Sequence, residues 1–403
     1  MRVAATARRG TVDAPGLTAL AGALALAAYL PLALRNDAQR PDYFLLADAF
    51  LRGRTWIEPS TLGALGDRID VAGRTYLPFG PFPAVVLAPV VALLGPSAAA
   101  FEPVLNAALA AATVGLCWKL SARFDGGDLR DRLWIVTLYA FSTPVWWIAA
   151  KGGVWHTAQL FALALTFLAL LESTGRRRAL VVGLLAGAAF LSRAPTLLAV
   201  PFYIWAAERR RPFVPIALRR ATVVAIGCVP ALAFFCWYNA TRFGSPLESG
   251  YALATLDTFL DQERRLGLFS LAHLGRNLDY LLLHLPVAAP APWFLSPDGF
   301  GLSVAIASPG LFLAVQADLR DRIVRGATLT AVAVLLPSLL YYGGGWFQLG
   351  FRYLLDAMPF LVILIASGAR RGIAYPWKLA IVFGMCVSLW GFASLGAGVQ
   401  GFQ

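Results

Sequence analysis

The sequence predicts an all-α polytopic transmembrane helical bundle of about eleven spans, with juxtamembrane helices in its first outer loop. Two features of composition and one of patterning carry that prediction. The 403 residues are 59% hydrophobic and only 14% charged, and the mean hydropathy is +0.66. Apolar runs near the ~20 residues needed to cross a bilayer recur along the whole chain. Between them, the arginines come in short clusters.

That clustering also bears on the net charge of +12. A nucleic-acid-binding chain gathers its basic residues on one stripe, whereas here they punctuate apolar runs, so topology explains them and no nucleic acid is expected as a partner. Only Lys119, Lys151 and Lys378 among the 34 basic residues are lysines, a bias that with the high alanine content points to a GC-rich bacterial genome. Cys117, Cys228, Cys236 and Cys386 lie in apolar runs and read as small core hydrophobes. The three histidines, His156, His273 and His284, have no metal-ligand spacing. No metal site is therefore expected.

The elements follow from the positive-inside rule, by which each basic cluster is cytoplasmic. The clusters are Arg2/Arg8/Arg9, Lys119/Arg123/Arg130/Arg132, Arg176 to Arg178, Arg209 to Arg211 with Arg219/Arg220, Arg320/Arg322/Arg325, and Arg370/Arg371/Lys378. Span 17–34 is an uncleaved signal anchor behind Arg8 and Arg9. After it comes the first outer loop, 35–97. Within that loop, 43–52 is a surface helix, with Phe44, Ala47 and Leu51 on one face and Asp48 and Arg52 paired at i, i+4 on the other. Segment 79–95 cannot cross, because a crossing there would invert every later cluster; its prolines at 81, 83 and 89 also favour a juxtamembrane helix.

Spans 98–120, 132–150 and 155–172 come next. Between Arg178 and Arg209 lie 30 residues, about 45 Å of helix and too little for two full crossings. The hairpin 179–192/194–207 must turn inside the outer leaflet, which recesses Arg193 and requires a partner for it; a lipid phosphate would serve. Span 221–240, a second outer loop over 241–300, and spans 301–317, 326–342, 354–368 and 378–396 complete the chain. Residues 1–403 form a single module with no separate soluble domain and no helical-repeat period. The N-terminus is cytoplasmic and the C-terminus extracytoplasmic.

Polar residues collect on the outer side of this topology: Asp37 and Asp42, Lys151 and His156, Arg193, Arg242 and Glu248, and Arg352 with Asp356. An acid beside recessed cations suits group transfer from a lipid phosphate. The carboxylate takes the proton of an attacking hydroxyl while the cations stabilise the charge growing on the departing phosphate. Each residue also has a structural reading. Asp37 and Asp42 could solvate a loop, Arg352 and Asp356 could pair with each other at i, i+4, and His156 could be a packed histidine. Asp42, directly before Tyr43, has the position of a helix N-cap, which makes Asp37 the first candidate for a base and Asp42 the alternative. The sequon at Asn239 lies at a membrane edge and reads as accidental.

Several motifs carry a resemblance. They are Asp37 just after the first span, Tyr43-Phe-Leu-Leu-Ala-Asp-Ala-Phe-Leu-Arg-Gly-Arg54, and Gly73-Arg-Thr-Tyr-Leu-Pro-Phe-Gly-Pro81 leading into the second juxtamembrane helix. With them go Phe190-Leu-Ser-Arg-Ala-Pro195, Arg242-Phe-Gly-Ser-Pro246 and Gly350-Phe-Arg-Tyr-Leu-Leu-Asp-Ala-Met-Pro359. In this order the chain resembles the GT-C superfamily of polytopic glycosyltransferases that use polyprenyl-phosphate sugars, most of all the bacterial branch related to protein mannosyltransferases and lipid A aminoarabinose transferases.

The resemblance implies a transferase of the bacterial cytoplasmic membrane that moves a sugar, with inversion, from a polyprenyl-phosphate donor to a lipid, glycan or protein acceptor of the cell envelope. It puts the general base on Asp37 and the lipid-phosphate contact on Arg193, with Lys151, His156, Arg242 and Arg352 lining the substrate. No cofactor is required by the residues. Many relatives hold a divalent metal with acids in the short outer loop that here reads Lys151-Gly-Gly-Val-Trp-His156, a departure that argues against a divalent metal, and many carry a C-terminal acceptor domain. The alternative is a lipid-linked-substrate flippase, which would use the same cations without a base.

Overall fold

A computed structural model describes residues 15–36, 41–58, 67–207, 214–256 and 258–396. The first helix, α1 (Pro15–Ala33), packs along α4 (Glu102–Ser121). Between them lies the first loop, with α2 (Asp42–Leu51), a two-stranded antiparallel hairpin of β1 (Ile69–Val71) and β2 (Arg74–Tyr76), and α3 (Phe82–Leu94). The prolines of the 79–95 segment do what the sequence suggests: Pro81 caps a helix of 13 residues, about 20 Å long and too short to cross.

α5 (Leu129–Phe141) and α6 (Pro144–Ala150) follow each other with a bend of 52° and together are long and apolar enough for one span. The break has a local cause, since Pro144 cannot donate backward and the Thr143 hydroxyl caps the new helix by accepting from Val145 N at 3.3 Å. There follow α7 (Val154–Thr174), α8 (Ala179–Ser192), α9 (Val200–Ala206), reached through a 3₁₀ turn at Ala194–Ala199, and α10 (Val214–Phe243). α8 and α10 cross at Gly183 and Gly227. A Cβ at Gly183 would run into Val224 O and one at Gly227 would sit 2.6 Å from Leu180 O, so this crossing is backbone against backbone.

The second loop holds α11 (Thr258–Arg265), α12 (Leu274–Leu282) and a short hairpin of β3 (Val287–Ala288) and β4 (Leu295–Ser296). Then come α13 (Val304–Ala307), α14 (Arg322–Leu340), α15 (Met358–Gly368) and α16 (Tyr375–Gly396). Among the described residues six helices are long and apolar enough to cross a membrane, seven with the bent pair. This is a multi-pass helical membrane protein.

Helical structure falls at all eleven anticipated segments, but 301–317 is not a regular span. α13 is only four residues, Ser308 breaks it with an extended φ of −147°, and Pro309–Gln316 continues as 3₁₀ helix. Leu51, expected on the buried face of the surface helix, is exposed. Cys117 and Cys228 are buried, whereas Cys386 is exposed on α16 and is not a core residue.

Two ends can be distinguished. At one, Arg132 pairs with Asp125, Arg370 Nε donates to Phe124 O at 2.7 Å, and Asp131 accepts from Ile373 N at 3.1 Å. At the other, the two large loops meet: Arg68 and Thr255 form a β-bridge, and Tyr43, Phe44, Leu46 and Ala47 of α2 share a core with Val154 and Ala158 of α7. Burying side chains of this size is worth about 1.5–3 kcal/mol each. That core seats the first loop on the start of α7, where the polar residues gather.

Candidate active site at the loop end

Arg193 follows the last residue of α8, in the turn of the short hairpin. Its Nε donates to Asp356 Oδ1 at 2.7 Å and its Nη2 to Oδ2 at 2.7 Å. Its counterion within the protein is thus a carboxylate 163 positions away in sequence. The alternative pairing of Arg352 with Asp356 is absent for a geometric reason. Arg352–Asp356 is 3₁₀ helix, in which residues three apart eclipse, so positions i and i+4 point about 120° apart. Asp356 turns to Arg193 instead.

Arg352 is left in an unusual state. It is 4% exposed, its Nε has no acceptor, and among the described residues its guanidinium makes no ion pair. It lies over the ring of Tyr353 at 4.9 Å and that of Trp155 at 5.9 Å. Tyr353 also faces Arg193, whose guanidinium carbon is 5.3 Å from the ring centroid. A part-buried guanidinium matched by a carboxylate and a buried one that is not therefore flank one aromatic ring. Buried charge without a partner is costly and is retained where a ligand supplies the partner.

Lys151 caps the end of α6. Its Nζ donates to Asn36 Oδ1 at 2.8 Å and lies over Trp147 at 5.0 Å. Burial lowers its pKa below the ordinary 10.5. His156 is buried in the first turn of α7, with Nδ1 3.2 Å from Gly152 O and Nε2 unpartnered. Arg242 is placed differently: Nη1 donates to Leu77 O at 2.6 Å, Nη2 to Asn239 Oδ1 at 2.7 Å and Nε to Tyr238 O at 3.2 Å. Those bonds use three of its five N–H donors and tie α10 to the first loop. Glu248 accepts from Gly250 N at 2.6 Å within its own turn. Asn239 of the sequon is buried.

Asp37 lies outside the described residues. Its neighbour Asn36 is the residue that Lys151 holds. Asp42 is fully buried as the first residue inside α2, and Pro41 occupies the cap position, so the expected N-cap role is corrected by one residue. The first loop is pressed on the hairpin turn at Gly80, where a Cβ would collide with Leu191 O. No side chain other than hydrogen fits there.

Sequence reasoning missed Glu102. It is fully buried in the first turn of α4, where Oε2 accepts from Gly153 N at 2.9 Å and Oε1 accepts from Thr157 Oγ1 at 2.9 Å. Asn106, one turn on, donates to Lys151 O at 2.8 Å. An acid beside a proline at the head of an apolar helix was the available signal, and it shapes the 151–153 turn although it lies outside the second loop. Among the described residues no three His, Cys, Asp or Glu side chains group as metal ligands.

The spans, the paired helices of the first loop and the recessed arginine define a class: a polytopic helical membrane protein with a polar site at its loop end. The fold is similar to that of ArnT from Cupriavidus metallidurans, whose crystal structure is bound to undecaprenyl phosphate. The two are 16% identical with a TM-score of 0.53, and the match covers 97% of this chain and 66% of that one. The chain thus spans about two thirds of its neighbour's length. No protein-family model and no curated protein matches the sequence.

Proposed function

We propose that the protein is a membrane glycosyltransferase that takes a sugar from a polyprenyl-phosphate donor and delivers it, with inversion, to a cell-envelope acceptor on the extracytoplasmic face of a bacterial cytoplasmic membrane. The observation that carries the reading is Arg352, a buried cation whose Nε lacks any acceptor, beside an Arg193 already neutralised by Asp356. A phosphate group supplies the missing charge and acceptor oxygens in one step. Similarity of fold to a protein crystallised with undecaprenyl phosphate supports the same ligand class.

In the reaction, an acceptor hydroxyl attacks the anomeric carbon from the face opposite the phosphate. Its proton passes to the carboxylate of Asp37, with Asp42 as the alternative, the bond from the anomeric carbon to the phosphate oxygen breaks, and polyprenyl phosphate departs. Arg352, with Lys151 alongside, stabilises the charge that grows on the leaving oxygen. Arg193 holds Asp356 and fixes the 3₁₀ turn that presents Arg352. Lys151 is tied to Asn36, the residue before Asp37 in sequence.

Purified protein incubated with a panel of polyprenyl-phosphate sugars and assayed for released polyprenyl phosphate tests the reading. Release is expected with one donor class, and Asp37→Asn is expected to abolish it while insertion stays normal. Full release by Asp37→Asn would remove Asp37 as the base. Passage of labelled lipid across vesicles without cleavage would favour a flippase.

A further inference from the structure

Next to Arg352, two buried polar atoms, His156 Nε2 and Gln159 Oε1, have no hydrogen-bond partner among the described residues. His156 and Gln159 are each 1% exposed and sit one turn apart on α7. Thr157 between them faces away, donating to Glu102. His156 Nδ1 meets a carbonyl, Gly152 O, so in the neutral ring that nitrogen carries the hydrogen and Nε2 presents a lone pair. Gln159 is fixed the same way. Its Nε2 must be the end that donates to Arg352 O at 2.6 Å, so the orphan is the carbonyl Oε1.

Buried acceptors left without donors cost free energy comparable to a lost hydrogen bond, and native proteins leave few of them. Here two occur within one helical turn, both beside residue 352: Gln159 through its hydrogen bond and His156 through its electrostatic contact with that guanidinium. A phosphate cannot satisfy them, because it brings only acceptors at neutral pH. Arg352 Nε, the donor beside them, also lacks an acceptor, and in the polyprenyl-phosphate reading the phosphate takes it. What fits is a ligand that carries hydroxyl donors a few ångströms from a phosphate.

We infer that His156 Nε2 and Gln159 Oε1 form a hydroxyl-recognition subsite for the sugar ring of the donor, with the adjoining phosphate on Arg352. The inference rests on the polyprenyl-phosphate reading and deepens it: the substrate class is a sugar phosphodiester whose ring donates at least two hydroxyl hydrogens to neutral acceptors. The subsite reads the sugar and the arginine reads the phosphate, so the two kinds of recognition are separable.

Binding of two probes, undecaprenyl phosphate and undecaprenyl-phosphate-glucose, separates them. In His156→Phe and Gln159→Met the sugar-bearing lipid is expected to bind about tenfold or more weakly while the bare lipid is unaffected, because only the former loses hydroxyl contacts. Taking the ratio within each variant cancels any loss of folded protein. The wild-type chain gives a second measurement that needs no variant: among monodeoxy-glucose donors, at least one is expected to bind about tenfold worse than the parent, and that deficit to vanish in the matching variant. Equal weakening of both lipids by the variants, or monodeoxy donors that all bind like the parent, overturns the subsite and leaves the phosphate site standing. Failure of the wild-type chain to bind undecaprenyl phosphate at all overturns both.

Discussion

Arg132 and Arg352 are both buried arginines next to aromatic rings, at opposite ends of the bundle, and they are treated in opposite ways. Arg132 is fully buried, donates to both oxygens of Asp125 at 2.6 and 3.0 Å, and lies over Trp118 at 5.4 Å. Asp125 in turn accepts from Gly127 N at 2.8 Å. Every strong partner of that charge is built into the chain. Arg352 has the rings but, among the described residues, no carboxylate in ion-pair contact. The contrast separates a charge that holds the fold together from one kept ready for something that arrives.

Breaking the matched pair should have the largest effect. Asp125→Ala takes the carboxylate away from the buried Arg132, and removal of one partner from a buried pair costs about 3–5 kcal/mol. A large drop in melting temperature in detergent is expected, with no recovery on adding undecaprenyl phosphate. A melting temperature equal to that of the wild type would show that the pair is dispensable and that the contrast between the two ends has no energetic content.

Arg352→Met sharpens the comparison from the other side. It removes a buried charge that has no carboxylate, so the unliganded protein should be at least as stable as the wild type. A charge-assisted hydrogen bond is worth about 1.5–3 kcal/mol, so affinity for undecaprenyl phosphate should fall roughly 10- to 100-fold. Thermal-shift titration reads both. Destabilisation of the unliganded protein comparable to that from Asp125→Ala would make Arg352 a second structural arginine.

This contrast was only half legible in the sequence. Run lengths and arginine clusters located the helices, and the 30-residue spacing from Arg178 to Arg209 marked a short hairpin with Arg193 in its turn, because these depend on chain length alone. The partner of Arg193 was not readable. Asp356 is remote in sequence, and its availability depends on Arg352–Asp356 winding as 3₁₀ rather than α helix, which redirects i, i+4 neighbours. Glu102 was hidden for a related reason: it was assigned to a span by hydropathy, and its partners at Gly153 and Thr157 come from a turn about fifty residues on. Spacing reveals depth in the membrane, whereas pairing across helices needs their rotation.

A smaller effect is expected at the contact that brings the first loop to the site. Gly80→Ala places a methyl group against Leu191 O two residues before Arg193, an overpacking that typically costs about 1–3 kcal/mol. Because the strain falls between the first loop and the hairpin, donor turnover should drop more than overall stability. Unchanged turnover would mean that the loop need not sit as tightly as Gly80 allows.

Lys151 offers the most delicate comparison, since it is a half-way case: a cation with a neutral partner, Asn36 Oδ1, and two aromatic rings, Trp147 and Phe347. Burial lowers its pKa from 10.5, so the folded protein holds this proton less tightly than the unfolded chain does. The sign follows directly. The folded state is disfavoured while the group is charged, and stability should rise as pH climbs through the window between the lowered value and 10.5. Ligand binding should move the other way, because the neutral amine no longer attracts a phosphate. Melting temperature and undecaprenyl phosphate affinity measured across the same alkaline series should therefore diverge in the wild type. In Lys151→Arg, which stays charged throughout, affinity should hold level across that window. Affinity that declines identically in both proteins would place the titrating group elsewhere and remove Lys151 from the phosphate site, leaving it a tether for the first loop.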